Sequence, residues 1–357
     1  MASDAVEIEA GGRSVRVSSP TRVIYPATER TAEVTKSMVA QYYASVDDGL
    51  MRALNNRPTT LERWPKGVLD GMKLSTAGSD GDGFYQKRVP RGYPTYLKTA
   101  RINFPSGRTA DEVCPTEIAA AVWAAHMGTI TFHPWPVRRD RPDHPDELRI
   151  DLDPQPGTDF HDAVRVAGDL RELLDDIGLT GYPKTSGNRG VHVFIRIEPK
   201  WTFVDVRHAA IALGRELERR STGVTMNWWK EERGANIFVD FNQNCRDRTM
   251  ASAYSLRSIA GAPVSTPVAW DELPEIDDPR DFNLHTVPKR LAEIGDPQSS
   301  IDDVAHSLDT LLEWWERDLN DGLGEMPYPP DYPKMPGEPK RVQPSKARPG
   351  LPFSGPK

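Results

Sequence analysis

The sequence predicts a mixed α/β protein, and three observations carry that prediction. Apolar runs of strand length, "TITFH", "ELRIDLD", "VHVFIRI" and "NIFVDF", follow one another between residues 129 and 241. Two segments of helical period, "FHDAVRVAGDLRELLDDIG" and "VDVRHAAIALGRELERR", separate the second run from the third and the third from the fourth. That alternation builds a layered body whose helices cover a sheet between about residues 129 and 260.

The flanking elements follow in chain order. A helix enters near Thr35 and runs through "TKSMVAQYYASVDDGLMRAL", with Met38, Val39, Tyr42, Val46, Leu50 and Leu54 along one side. A second helix, "PTEIAAAVWAAHMG", closes at Gly128. After the sheet, "SIDDVAHSLDTLLEWWERDL" reads as one helix with Val304, Leu308, Leu311, Leu312 and Trp315 on its apolar side. The last thirty or so residues hold ten of the 32 prolines and read as extended polypeptide. A length of 357 residues suits one large domain or two intimate lobes. The expected division is an N-terminal lobe over 1–128, a catalytic lobe over 129–320 and a Pro-rich basic tail over 321–357.

Composition narrows the function classes. No segment reaches the eighteen or so apolar residues of a membrane span, and no basic-then-apolar leader opens the chain, so a soluble cytoplasmic protein is expected. Cys114 and Cys245 lack the spacing of a zinc site or the density of a disulfide scaffold. The net charge of −7 argues mildly against a surface coated for nucleic acid, but one groove can differ from the average. Residues 84–108 carry six Lys or Arg, five aromatics and no acid. Cations meet phosphates and aromatic faces meet unstacked bases, so this segment suits a nucleic-acid strand; a basic hairpin facing water fits it equally.

The chemistry sits in three short stretches. In "LRIDLDPQPG", Asp151 and Asp153 are two apart in a strand, so both carboxylates emerge on one face roughly 6.6 Å apart. Such a pair repels unless a cation compensates it, and hard divalent ions with oxygen ligands do so. Asp before Pro is also common in turns. In "NIFVDFNQN", Asp240 interrupts an apolar strand; if that strand neighbours the first, three carboxylates suit two metals and phosphoryl or nucleotidyl transfer. An edge-strand Asp facing water fits that position too. In "KTSGNRGVHVFIRI", Gly187 and Gly190 frame a turn where Ser186, Arg189 and His192 offer donors to an anion such as a triphosphate. It is not a Walker loop, and a plain hairpin turn with an outward His fits the spacing as well.

Taken together and in order, "HPWPVR", "LRIDLDPQPG", "TSGNRGVHVFI", "FVDFNQN" and "AYSLRSIAGAPVSTPVAWDEL" resemble the polymerase domain of bacterial ligase-D-type end-joining proteins, in the archaeo-eukaryotic primase superfamily. The resemblance runs from about Thr21 to Leu319. It implies a primase-polymerase fold, two intimate lobes around a central sheet with an RRM-like catalytic palm. It also implies a template-dependent nucleotidyltransferase that fills short gaps or broken DNA ends, ribonucleotides preferred, through two divalent ions, Mn²⁺ or Mg²⁺. Asp151, Asp153 and Asp240 match the catalytic metal ligands. His133, Ser186, Arg189, His192, Gln243 and Arg257 match positions around the incoming nucleotide. Arg22 and Lys36 match the holders of a downstream 5′-phosphate, Phe84 and Tyr85 an aromatic pair stacking on template bases, and Arg63, Lys87 and Arg233 further DNA contacts.

No K-x-D-G ligase motif or nuclease accompanies these motifs, so the chain also resembles free-standing mycobacterial primase-polymerases that work beside a separate ATP-dependent ligase and an end-binding protein, in the bacterial cytoplasm near the nucleoid. Two departures stand out: Glu62 in "LERWP" replaces a basic residue, and the segment from Arg22 to Lys36 is longer. A two-metal nuclease or phosphodiesterase, a non-catalytic DNA-end-binding module and dedicated primer synthesis are the competing readings; nucleotide affinity that depends on Arg189 and Arg257 separates the first, insensitivity to loss of the aspartates marks the second, and making a first dinucleotide without a primer marks the third.

Overall fold

In the computed structural model, which describes residues 4–76 and 79–347, two five-stranded sheets organise the chain. One runs, edge to edge, through Tyr182–Thr185, Val191–Arg196, Glu147–Pro154, Ile237–Val239 and Val224–Thr225, antiparallel except for the last pair. Helices Phe160–Asp176 and Phe203–Arg220 connect its strands in a β-α-β-β-α-β-β order, a β-α-β-β-α-β unit with one further strand. Both helices start on a capping box, Asp159 with Asp162 and Thr202 with Asp205, each pair satisfying backbone N–H groups that the first turn leaves free. Strand alternation then sorts the residues: Leu148, Ile150 and Leu152 are buried in one core with the apolar sides of both helices. Glu147, Arg149, Asp151 and Asp153 stand on the opposite face.

The other sheet comprises Phe84–Gln86, Thr59–Arg63, Thr109–Cys114 and Lys98–Asn103, with Thr129–Pro134 pairing antiparallel to Thr59–Arg63. The sequence placed "TITFH" in the same sheet as the aspartates. Its pairing instead assigns it to this N-terminal sheet, so the chain changes sheets after Pro134 and not at residue 129. A two-stranded ribbon, Ser255–Leu256 with Val264–Ser265, then bridges the sheets. Phe132 N–H donates to Ser255 Oγ (2.8 Å) on one side, and Thr185 N–H donates to the Thr266 carbonyl (2.9 Å) on the other. The ribbon's apolar side chains, Leu256 and Val264, join the N-terminal core.

Two helical expectations change in detail. The segment from Thr35 to Leu54 is two helices, Lys36–Ser45 and Asp47–Leu54, broken at Val46, with Asp47 and Asp48 at the positive end of the second. The late helix is Asp309–Asn320, shorter than expected. Before it, His306 N–H pairs with the Arg196 carbonyl (2.9 Å) as an extension of the sheet, which leaves Val304 56% exposed. The Pro-rich segment has no strand among its described residues and one helical turn at Pro344–Ala347; its residues 348–357 lie outside the described part.

Candidate active site

Two acids on one strand meet opposite fates. Glu147 is buried among Arg57, Arg149 and Arg196, with N–O distances of 2.8, 2.6 and 3.1 Å. Burial alone would raise its carboxyl; the three guanidiniums hold it well below the carboxylate range. Asp151, four residues on, forms no ion pair with arginine or lysine among the described residues; its one ionisable partner within pairing distance is His192 Nε2, at 3.4 Å. Burial and the nearby carboxylates of Asp240 and Asp153 push it up to about 8. The strand therefore closes its polar face at one end and leaves crowded carboxyls without a cationic partner at the other.

Asp240 reaches that point because Ile237–Val239 lies beside Glu147–Pro154, and Asp240 N–H donates to the Asp151 carbonyl (3.1 Å). Its side chain caps the short 3₁₀ turn Phe241–Asn244 by accepting from Asn242 N–H (3.1 Å), and burial raises its pKa. Gln243 Nε2 spans both acids, 2.9 Å from Asp240 and 3.5 Å from Asp151. Asp153 is exposed on the same face, held by Gln155 Nε2 at 2.9 Å. Among the described residues no three His, Cys, Asp or Glu side chains form a ready metal cage. The donor chemistry nevertheless fits divalent ions: hard carboxylate oxygens, two of them crowded enough to be raised, with a charge that two dications would neutralise.

Arg233, expected at primer and template, is internal. Its guanidinium lies 3.4 Å from the Phe238 ring centre and donates to the carbonyls of Asn227 and Trp228 and to Gln155. It braces the loop beside Asp153 and is largely buried by these contacts.

The anion loop is a tight hairpin between Tyr182–Thr185 and Val191–Arg196. Ser186 Oγ accepts from Asn188 and Gly190 N–H (3.2 and 3.0 Å), which curls the turn. Gly187 has φ +76°, and a Cβ there would come within 2.5 Å of Arg257 Cγ, so glycine lets the loop and Arg257 close on each other. Arg189 reaches the Pro154 carbonyl at 3.4 Å. The sequence reading passed over Lys184, the cross-strand partner of His192. Fully buried, its ammonium sits 2.7 Å from His192 Nδ1 and 2.6 Å from Ser265 Oγ, and burial drives both its pKa and that of His192 well down. A lysine between Pro183 and Thr185 in a strand paired on one side with the motif histidine was the available signal.

His133 arrives from the N-terminal sheet. Its Nε2 is 2.9 Å from Glu62, which also accepts from Trp64 Nε1 (2.9 Å) and Ser258 Oγ. Burial would raise the Glu62 carboxyl, but these donors, His133 foremost, bring it to about 2. The acid that departs from the expected basic pattern is thus the buried anchor of the histidine. Tyr85 packs edge-on against His133 (5.3 Å) and is 47% exposed. Phe84 points to the other face, under the Arg63 guanidinium (5.3 Å), so the two aromatics do not form one stacking pair. Arg63 is committed to the Met127 carbonyl and Gln86, and Lys87 to Asp247 and the Phe104 ring.

Arg22 and Lys36 meet at the base of the hairpin Val23–Tyr25 with Val34–Thr35. Lys36 N–H donates to the Arg22 carbonyl (2.8 Å). Arg22 is exposed; Lys36 is nearly buried, donates to the Ser18 carbonyl (2.9 Å), and is lowered to about 8 by burial and by Arg22.

A family model described as LigD, primase-polymerase domain, matches residues 35–298. The multifunctional non-homologous end joining protein LigD of Mycolicibacterium smegmatis is 29% identical over 90% of this chain and 40% of its own length. That of Pseudomonas aeruginosa is 31% identical over 78% of this chain and 32% of its own length. The chain thus spans less than half of these relatives. Among solved structures, the polymerase domain of Mycobacterium tuberculosis ligase D in complex with DNA matches with a TM-score of 0.71 and 28% identity, over 82% of this chain and 99% of that one. With the family region spanning both sheets and all three aspartates, the chain belongs to the LigD primase-polymerase domains, a family of nucleotidyltransferases.

Proposed function

We propose that the protein extends a primer 3′-hydroxyl across short gaps or broken ends in DNA, under template direction and with ribonucleotides preferred. The observation that carries this reading is the convergence of Asp151 and Asp240 from one sheet with Arg257, just past the Ser255–Leu256 strand of the bridging ribbon, and His133 from the other sheet. Arg257 is close enough for its charge to act on Asp151, His192 and His133 alike. A nuclease has no need of that cationic arm. The β-α-β-β-α-β unit within the sheet that carries the aspartates supports reading that sheet as an RRM-like palm.

In the proposed reaction the 3′-oxygen attacks the α-phosphorus. A P–O bond forms, the bond to the oxygen bridging to the β-phosphate breaks, and pyrophosphate leaves with that electron pair. Two divalent ions, Mn²⁺ or Mg²⁺, held by Asp151, Asp153 and Asp240, would supply the Lewis acidity for attack and departure. Arg257, Arg189, Ser186 and the loop amides hold the triphosphate, and His192, backed by Lys184, presents Nε2 beside Asp151. Glu62 fixes His133 beside the nucleotide, and Tyr85 offers its exposed ring to a base. Arg22 and Lys36 hold the 5′-phosphate of the downstream strand, with a separate ligase and an end-binding protein completing repair in the bacterial cytoplasm. Ribonucleotide preference follows from the family resemblance alone. The test is nucleotide binding with Arg257→Ala: at least tenfold weaker binding of a triphosphate supports transfer, and unchanged binding favours a nuclease.

A further inference from the structure

The turn that carries Asp240 is held from behind by a part of the chain beyond the matched family region, which ends at residue 298. Asn242, whose N–H caps the Asp240 carboxylate, is itself buried. Its Oδ1 accepts from Arg207 Nε (2.9 Å), and its Nδ2 donates to the Pro327 carbonyl (3.0 Å). Arg207, fully buried on helix Phe203–Arg220, pairs with Glu325 and donates to the carbonyls of Met326 (2.9 Å) and Pro327 (3.2 Å). Its plane lies 3.7 Å from the Tyr328 ring centre. The other Glu325 oxygen takes His208 Nε2 at 2.7 Å, and that imidazole stacks on Trp315 at 4.0 Å.

The sequence of the segment explains why it docks there. Proline-rich backbone in extended conformations satisfies few of its own carbonyls, so side-chain donors must do so. From outside, Arg207 takes Met326 and Pro327 and Arg215 takes Gly324; from within the segment, Arg341 takes Pro329, Pro330, Tyr332 and Pro333. Glu338 then locks the strap by holding Arg341 and accepting from Tyr328 N–H (2.9 Å). The strap thus supplies both the counter-charge of Arg207 and an acceptor for Asn242.

We infer that Glu325 is a positioning residue for the metal site: through Arg207 and Asn242 it fixes the turn that aims Asp240. This rests on the reading of Asp240 as a metal ligand. Without Glu325 the buried guanidinium is drawn toward other acceptors, Asn242 loses its fixed orientation, and the Asp240 carboxylate is released from its cap. Arg207 and Glu325 touch neither nucleotide nor metal, so the effect is on how tightly the site holds its ions and not on the chemical step.

The test uses the full chain and Mn²⁺ binding, followed by the electron paramagnetic resonance of free Mn²⁺, alongside melting temperature and primer extension. Glu325→Ala is expected to weaken Mn²⁺ binding about tenfold and to raise the Mn²⁺ needed for half-maximal extension in parallel, with the rate at saturating Mn²⁺ within about twofold of wild type. Glu325→Gln, which keeps the volume and an acceptor, falls between and serves if the alanine variant does not fold. Wild-type Mn²⁺ binding by folded Glu325 variants, with only the melting temperature lowered, would overturn the inference. Asp240→Asn separates the two readings: if it binds Mn²⁺ as wild type does, the metal-site assignment falls and the brace with it. If it loses Mn²⁺ while Glu325→Ala does not, only the brace falls.

Discussion

Replacing Asp151 by asparagine should stabilise the metal-free protein while abolishing its chemistry. Burial, Asp240 and Asp153 raise the Asp151 carboxyl from its ordinary 3.8 to about 8. A carboxyl raised in the folded state binds protons more tightly folded than unfolded, so stability falls as pH climbs from about 4 to about 8 and levels off above. At pH 7 the interval above 3.8 is 3.2 units, each about 1.36 kcal/mol, giving about 4 kcal/mol of destabilisation. Asn keeps the shape and removes the charge, so a gain of about 2–4 kcal/mol at pH 7 is expected once lost contacts are discounted, or about 3–5 °C in Tm for a chain of this length. Thermal melts in a chelator from pH 4.5 to 8.5 measure it: wild type should fall with rising pH and Asp151→Asn should stay nearly flat. Mn²⁺ should then raise the Tm of wild type and not of the variant. Parallel pH profiles, or a variant less stable than wild type at pH 8, would refute the claim that this strand end carries uncompensated charge.

Two further outcomes follow from the same geometry. Lys36, lowered to about 8, is cationic at pH 7 and neutral at pH 9, so preference for gapped DNA with a 5′-phosphate over a 5′-hydroxyl should fall about tenfold across that range, the equivalent of one charged hydrogen bond of about 1.5 kcal/mol. Lys36→Gln should flatten the profile, and binding curves with a constant ratio from pH 7 to 9 would exclude the residue from phosphate recognition. Glu62→Gln should lower stability by about 1.5–3 kcal/mol in denaturant titrations, because His133, Trp64 and Ser258 lose their shared ionised acceptor. It should also raise KM for the nucleotide several-fold with kcat nearly kept; an unchanged KM would make the Glu62–His133 pair purely structural.

Local rules made much of the candidate site's geometry legible. Two-residue spacing put Asp151 and Asp153 on one face, a lone Asp in an apolar strand pointed to Asp240, and paired glycines marked the tight turn that carries Ser186 and Arg189. What escaped was non-local. "TITFH" has the pattern of any strand, and only its partner, Thr59–Arg63, assigns it to a sheet. Glu62 looked like a lost cation because its function depends on His133, 71 positions away. Arg233 looked like a surface cation because nothing in its sequence shows the Phe238 ring beneath it. The Phe84–Tyr85 pair is different: adjacent strand residues face opposite ways, so their separation was already readable from the strand period.

The central claim is that the three aspartates and the bridging arginine serve templated nucleotide addition. Its most direct test is extension of a labelled primer across a short gap bearing a 5′-phosphate, in Mn²⁺, with ribonucleoside against deoxyribonucleoside triphosphates and wild type against Asp151→Ala. Templated addition that favours ribonucleotides and disappears in the variant is the expected result. Extension that survives in Asp151→Ala, or a wild type that binds the gap and adds nothing, would contradict it.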